Sequence, residues 1–177
     1  MTKNTVEVRG IDHVGLTVPD IDKATEFFKS VFDVKVCYDV HTPDMPLQNG
    51  ETAKRNVNLP GYASIDHIRL IRIGNGPCIE LFHVKSENQL VIDTIVNIGF
   101  SHIGIYTDNI DLTSKNFVKA GGTLFSEPHT LSGVEGGDNN YWVYGRTPWG
   151  SLIELITYSS GINYPTHSEA KRWTPEK

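Results

Sequence analysis

The sequence predicts an α+β fold made of two βαβββ repeats that curl together into a half-barrel. The main observation is an internal repeat in the chain of 177 residues: IDHVGLTVPDIDKATEFFKS, from Ile11, aligns without gaps on FSHIGIYTDNIDLTSKNFVK, from Phe100. A second match places CIELFHV, from Cys78, on LIELITY, from Leu152. Apolar residues follow strand spacing and then helical spacing in the same order in both halves.

Each repeat begins with a strand that leads into a helix. Residues 11–18 and 100–107 alternate between apolar and polar or small side chains, which is typical of strands. Asp20 and Asn109 are residue types that cap helix N-termini, and apolar residues recur at helical spacing after each of them. We therefore predict one helix after each of these strands.

Three short strands follow each helix. Their predicted ranges are 34–39, 65–73 and 78–83 in the first repeat, and about 123–125, 140–145 and 152–158 in the second. The two matches have offsets of 89 and 74 residues, so the first repeat holds about 15 additional residues. We expect them in a long loop between His41 and Gly61, a stretch that contains Pro, Gly and Asn.

The predicted organisation has four parts. Residues 9–85 form the first module, 86–98 a connector with a helical turn or two, 99–158 the second module, and 159–177 a tail that lies over the surface. Within the second module, the Gly-rich segment 129–138 is either a plain connection or a flap over a cleft.

Charge and composition exclude several classes of protein. The formal net charge is −5 and the pI is about 5.8, which argues against nucleic-acid binding and against attachment to an anionic membrane. The N-terminal residues show no apolar leader, so we expect a cytoplasmic protein. Cys37 and Cys78 lack any metal-binding spacing and are expected to be reduced, buried thiols.

Strand alternation places four polar residues on the faces turned away from the predicted helices. These residues, equivalent in pairs under the repeat, are His13, Glu80, His102 and Glu154. A single histidine in a strand is usually a structural residue, but an inward carboxylate costs several kcal/mol unless it has a partner. If the two sheets curl toward each other, two imidazoles and two carboxylates meet, a donor set that suits one divalent Zn, Ni, Co, Mn or Fe ion. Gly15 and Gly104 leave room for a substrate beside it.

At these residues the sequence resembles the vicinal oxygen chelate superfamily, which includes glyoxalases, bleomycin resistance proteins and extradiol dioxygenases. The resemblance covers roughly residues 9–158. It implies paired βαβββ modules around a metal cleft, with the four residues above as ligands. That ligand set is similar to those of bacterial glyoxalase I and related epimerases. The glutathione contacts of bacterial glyoxalase I do not carry over, because Thr17 and Val84 stand where that enzyme has Arg and Asn.

The resemblance favours a metal-dependent isomerase, epimerase or lyase that acts on a small, metal-chelating α-hydroxy-carbonyl substrate through an enediolate. A metal ion that binds the carbonyl acidifies the adjacent C–H, and a carboxylate moves the proton. Glu80 and Glu154 are the predicted catalytic residues, and no residue is assigned to an organic cofactor. The family also implies a homodimer, with the cleft formed within one chain or between two.

The sequence is also compatible with two other functions. One is a ring-cleaving dioxygenase of the extradiol type, which would use Fe(II) or Mn(II) and O₂. Four protein ligands leave about two positions on an octahedral ion, which suits a bidentate substrate better than a catecholate together with O₂. The other is a non-catalytic small-molecule binding protein of the resistance type, whose relatives generally lack the metal ligands.

Overall fold

The first repeat forms a four-stranded sheet in the computed structural model, which describes residues 10–92, 94–96 and 98–175. Its strands are β1 (His13–Thr17), β2 (Val34–His41), β3 (Ser64–Ile73) and β4 (Cys78–Lys85). They lie in the order β1-β4-β3-β2, with β1 parallel and β3 antiparallel to β4. The first and last strands of the repeat are therefore neighbours, and β2 is an edge strand.

The second repeat builds its sheet in the same way. Its strands are β5 (His102–Tyr106), β6 (Thr123–Leu124), β7 (His129–Thr130), β8 (Asn140–Arg146) and β9 (Leu152–Tyr158). The order is β5-β9-β8-β6, with β5 parallel to β9, and β7 is an additional short strand paired with β8. Two sheets with this shared strand order confirm the predicted α+β fold of two βαβββ repeats.

Within the described residues, three α-helices accompany the sheets: α1 (Ile21–Phe32), α2 (Gly50–Val57) and α3 (Ile110–Lys119). The predicted cap of α3 is present, because the Asn109 side chain accepts a hydrogen bond of 3.0 Å from the backbone N–H of Leu112. None of the helices in the described residues is long and apolar enough to span a membrane.

The chain divides into two compact units that are not consecutive in sequence. One contains the residues up to Ile21 together with Lys35–Lys85, and the other contains Asp22–Val34 and Ser86–Lys177. Almost all of α1 therefore belongs to the same unit as the second sheet. Phe27 of α1 meets Phe117 of α3 and Trp149 edge-to-face, with ring centroids 5.4 and 5.3 Å apart. Such aromatic pairs add to the free energy gained by burial alone.

Three expectations from the sequence are wrong in detail. The stretch from His41 to Gly61 is not entirely loop, because α2 lies within it. In the connector, the described residues form turns and bends and no helix. The cysteines are free but not buried: Cys37 is exposed and Cys78 is half-buried. Cys37 lies on the edge strand β2, where only one long side of the strand is covered.

Candidate metal centre

The first sheet brings His13 and Glu80 together. In the parallel pair β1 and β4, Gly15 is the Cα partner of Glu80, so His13 lies two residues before that partner on the same face. The Nε2 atom of His13 is 3.5 Å from Oε2 of Glu80. The His13 side chain is 43% exposed and that of Glu80 is 21% exposed, so both remain accessible to a ligand.

The second sheet repeats this arrangement with His102 and Glu154. Gly104 is the Cα partner of Glu154 in the parallel pair β5 and β9, and the Nε2 atom of His102 is again 3.5 Å from Oε2 of the carboxylate. The side chains of His102 and Glu154 are 29% and 16% exposed. The two halves of the chain thus contain the same histidine–carboxylate pair in the same strand register.

Each histidine is oriented by the residue that precedes it. Nδ1 of His13 lies 2.8 Å from a carboxylate oxygen of Asp12, and Nδ1 of His102 lies 2.9 Å from the hydroxyl of Ser101. A hydrogen bond at Nδ1 fixes the ring and leaves Nε2 as the metal-ligating nitrogen. Asp12 and Ser101 were not predicted from the sequence. The only available signal was a polar residue before each repeated histidine.

The two carboxylates of the candidate site have different surroundings. Burial raises the pKa of Glu154, an effect that the nearby His102 imidazole and Arg172 guanidinium only partly offset. The hydrogen bond that His13 donates to Asp12 raises the pKa of His13, and the charge of Glu80 adds to this effect. Glu154 therefore holds a proton more readily than a solvent-exposed carboxylate does.

Aromatic side chains from β8 and β9 line the face of the second sheet that carries His102 and Glu154. Tyr144 is the Cα partner of Glu154, and its hydroxyl lies 3.1 Å from Nε2 of His102. Burial and the charge of Glu154 both raise the pKa of Tyr144. In the first sheet the corresponding partner of Glu80 is Leu70, so the repeat is not symmetric at this position.

The C-terminal tail and the Gly-rich segment 129–138 also reach this face. Arg172 lies over the ring of Tyr158, with Cζ 4.9 Å from the ring centroid, and donates to Glu135 at 2.7 Å. Tyr158 shares a strand face with Glu154, because the two residues are four positions apart on β9. The charges of Arg172 and Glu135 shift the pKa of Glu154 in opposite directions.

Each half of the proposed donor set contains ligand types that suit a divalent ion. Each pair offers one imidazole nitrogen and one carboxylate oxygen, the ligand types that Zn²⁺ and related ions take. At Gly104 a Cβ would come within 3.3 Å of the Glu154 carboxylate, so glycine provides the space that this side chain uses. Within the described residues, no three His, Cys, Asp or Glu side chains form a group that could hold a metal ion. The assignment of all four ligands therefore stays a prediction.

Two βαβββ repeats, each with a histidine on its first strand and a glutamate on its last, define a class of two-module proteins with a paired His/Glu site. Residues 12–141 match the family model of the glyoxalase/bleomycin resistance protein/dioxygenase superfamily. The chain belongs to this superfamily, as its resemblance to the vicinal oxygen chelate proteins indicated.

One curated relative is a 2-epi-5-epi-valiolone epimerase from an Actinomyces species, which is 28% identical over 169 residues that cover 94% of this chain and 88% of the relative. Among solved structures, a glyoxalase family protein from Bacillus cereus superposes with a TM-score of 0.66 at 20% identity, covering 89% of this chain and 97% of the other. Glyoxalase I from Zea mays gives a TM-score of 0.56 at 21% identity over 82% of this chain and 43% of its own. These structural matches support the fold.

Proposed function

We propose that this protein is a metal-dependent epimerase that inverts a C–H stereocentre next to the carbonyl of a small α-hydroxy-carbonyl compound. The observation that carries the proposal is the duplicated His–Glu pair, which has the same register and the same 3.5 Å separation in both sheets. The similarity to an epimerase along 94% of the chain supports an epimerase over other isomerases and over lyases.

His13, Glu80, His102 and Glu154 would hold one divalent ion. Asp12 and Ser101 keep the two imidazoles in the orientation in which Nε2 faces the carboxylate of the same pair. The ion would supply Lewis acidity that polarises the substrate carbonyl and acidifies the neighbouring C–H bond. All other steps fall to side chains of the protein.

Epimerisation requires that a proton leave one side of the reacting carbon and return on the other. Two carboxylates are available for this purpose, Glu80 and Glu154, one from each repeat. We assign proton removal from the substrate carbon to Oε2 of Glu154, because burial raises the pKa of this carboxylate and so favours its protonated form after transfer. Glu80 then passes a proton taken up from water to the opposite side of the enediolate, and Glu154 releases the abstracted proton to solvent, so that both carboxylates return to their starting state. The reaction is redox-neutral and consumes no co-substrate.

The test begins with protein purified without chelators. Metal analysis should give one divalent ion per pair of repeats, and substitution of any of the four ligands by Ala should lower the metal content. His167→Ala and Glu87→Ala are matched controls, because both residues are exposed and neither has a counterpart in the other repeat. Full metal loading in all four ligand variants would contradict the assignment.

The reaction is tested by solvent deuterium exchange. With a panel of α-hydroxy ketones in D₂O, the protein loaded with Zn²⁺, Ni²⁺ or Co²⁺ should exchange the C–H next to the carbonyl without oxygen uptake. Glu154→Gln should abolish this exchange. A strict requirement for Fe(II) with stoichiometric O₂ consumption would instead establish a dioxygenase. Tight binding without exchange or oxygen uptake would establish a binding protein.

We also propose that the protein is a homodimer, as members of this family commonly pair modules within or between chains. Light scattering at micromolar concentration should give twice the chain mass of 19.7 kDa. A monomer under these conditions would show that any shared site forms within one chain.

A further inference from the structure

The pair formed by Arg172 and Glu135 lies outside the four proposed ligands and has no part in the proton transfer described above. Both side chains are 38% exposed, and Nη1 of Arg172 is 2.7 Å from Oε1 of Glu135. The guanidinium also lies over the ring of Tyr158 at 4.9 Å. A charged donor and a charged acceptor are therefore held side by side, partly open to solvent, against an aromatic ring.

This pair is built into the fold by several hydrogen bonds. The backbone N–H of Arg172 donates to the hydroxyl of Tyr164 at 2.8 Å, and the hydroxyl of Tyr158 donates to the carbonyl of Trp173 at 3.0 Å. On the other side, the buried Asn140 amide donates to the carbonyl of Glu135 at 2.7 Å. The position of each charged residue is thus set by contacts that do not involve the ion pair.

The pair lies beside the proposed reaction centre. Tyr158 and Glu154 project from the same face of β9, and at about 3.3 Å per residue their Cα atoms are about 13 Å apart along the strand. Because the Arg172 guanidinium lies over the Tyr158 ring, the pair is placed to contact the far end of a substrate whose reacting carbon lies at Glu154.

The chemistry of the pair favours an uncharged ligand with several hydroxyl groups. The charges of Arg172 and Glu135 cancel, so a carboxylate or phosphate would have to separate the ion pair and then face the glutamate. A hydroxyl group can accept from the guanidinium, and its neighbour can donate to the carboxylate, without disturbing that balance. The half-buried ring of Tyr106, whose centroid is 4.8 Å from that of the buried Tyr158, offers an apolar surface for the C–H bonds of such a molecule.

We propose that Arg172 and Glu135 bind the hydroxyl groups of an uncharged polyhydroxylated substrate and thereby determine the specificity of this protein. The inference rests on the proposed function in placing the reacting carbon at Glu154. It adds the substrate class, a neutral polyol that carries a carbonyl group, and it assigns a role to the tail, which was expected only to lie over the surface.

The test measures binding of a neutral cyclic polyol, myo-inositol, by saturation-transfer NMR on the full chain. It is run on protein as purified and again after chelator treatment, so that the result does not depend on metal content. Arg172→Met and Glu135→Met keep apolar stems of similar length and should each weaken binding about tenfold, since hydrogen bonds to charged groups are lost. Lys171→Met and Glu169→Met remove the same charges from exposed neighbours in the tail and should leave binding unchanged.

Tyr164→Phe separates a direct contact from an effect on tail placement, because it removes only the bond to the backbone of Arg172. We expect it to retain myo-inositol binding. The proposal would be overturned if Tyr164→Phe lost as much binding as Arg172→Met. It would also be overturned if both Met variants bound myo-inositol as well as the wild type does, or if the wild type did not bind it. Binding of inorganic phosphate that exceeds that of myo-inositol and needs Arg172 would overturn it in favour of an anion site. Binding of myo-inositol through this pair by a protein that holds no metal as purified and exchanges no C–H in D₂O would contradict only the proposed function.

Discussion

Glu154 lies directly opposite Gly104 across the parallel strands β5 and β9, and its Oε2 atom occupies the space next to the missing side chain. A Cβ on residue 104 would be 3.3 Å from that oxygen, closer than ordinary van der Waals contact. The equivalent Cβ on Gly15 would be 3.4 Å from the ring of Phe82 and would not meet Glu80 within 4 Å. The two repeats therefore support their carboxylates differently.

Gly104→Ala should lower the affinity for Zn²⁺ or Co²⁺ roughly tenfold, because the new methyl group displaces the Glu154 carboxylate by a few tenths of an ångström. Gly15→Ala is the matched control and should have a smaller effect, since its methyl group meets an aromatic ring. Competition titration with a chromophoric chelator gives both affinities. Equal affinities for the two variants would contradict the expected difference.

Ser101→Ala and Asp12→Ala should each weaken metal binding, since each removes the hydrogen bond that orients a histidine ring. Loss of such an outer partner typically costs about 10- to 100-fold in affinity. The loss should be smaller for Asp12, whose side chain is 91% exposed and competes with water for the imidazole. Isothermal titration with Zn²⁺ measures the effect, and unchanged affinity in both variants would show that the rings are held by other contacts.

Asp66→Asn should destabilise the protein by about 2 kcal/mol at neutral pH. The Asp66 side chain is 8% exposed and receives hydrogen bonds from Lys85 at 2.8 Å and from His83 at 2.5 Å. Burial alone would raise the pKa of Asp66, but these two partners outweigh it and the net pKa is lowered. Chemical denaturation at pH 7 measures the loss, with the exposed Glu87→Gln as a control that should change little.

The contribution of Asp66 should also depend on pH. A carboxylate with a lowered folded-state pKa stabilises the protein above its unfolded-state pKa, and this stability is lost as the pH falls through the folded-state value. The difference in unfolding free energy between wild type and Asp66→Asn should therefore be constant above about pH 5 and shrink below about pH 4. A difference that grew on acidification would contradict the direction of the pKa shift.

Asn140→Ala should cost about 3 kcal/mol of stability, because three backbone groups lose their partner in a fully buried site. The side chain donates to the carbonyls of Glu135 and Gly161, both at 2.7 Å, and accepts from the N–H of Ser160 at 2.9 Å. Asn139→Ala, at the exposed neighbouring position, should be close to neutral. Thermal unfolding compares the two, and equal melting temperatures would rule out this role for Asn140.

Local patterns in the sequence were sufficient to predict the two sheets and to place each histidine on the same face as its glutamate. Strand parity and an internal repeat together fix which side chains share a face. Helix α2 was missed because its eight residues include only two that are apolar, Ala53 and Val57, which are too few to show a helical period. The Arg172–Glu135 pair joins residues 37 positions apart and corresponds to no short motif. Contacts of this kind depend on how the tail folds back, which local spacing does not encode.

Helix α1 also affects how the chain can fold. Phe27 packs against Phe117 and Trp149. The polypeptide passes from one compact unit to the other at three points, after Ile21, Val34 and Lys85. The unit with the second sheet therefore cannot be completed until residues near both ends of the chain have met. Contacts of such long sequence separation slow folding, because the intervening chain must be ordered first. During synthesis Phe27 would leave the ribosome 90 residues before Phe117 and would stay without this aromatic partner until then.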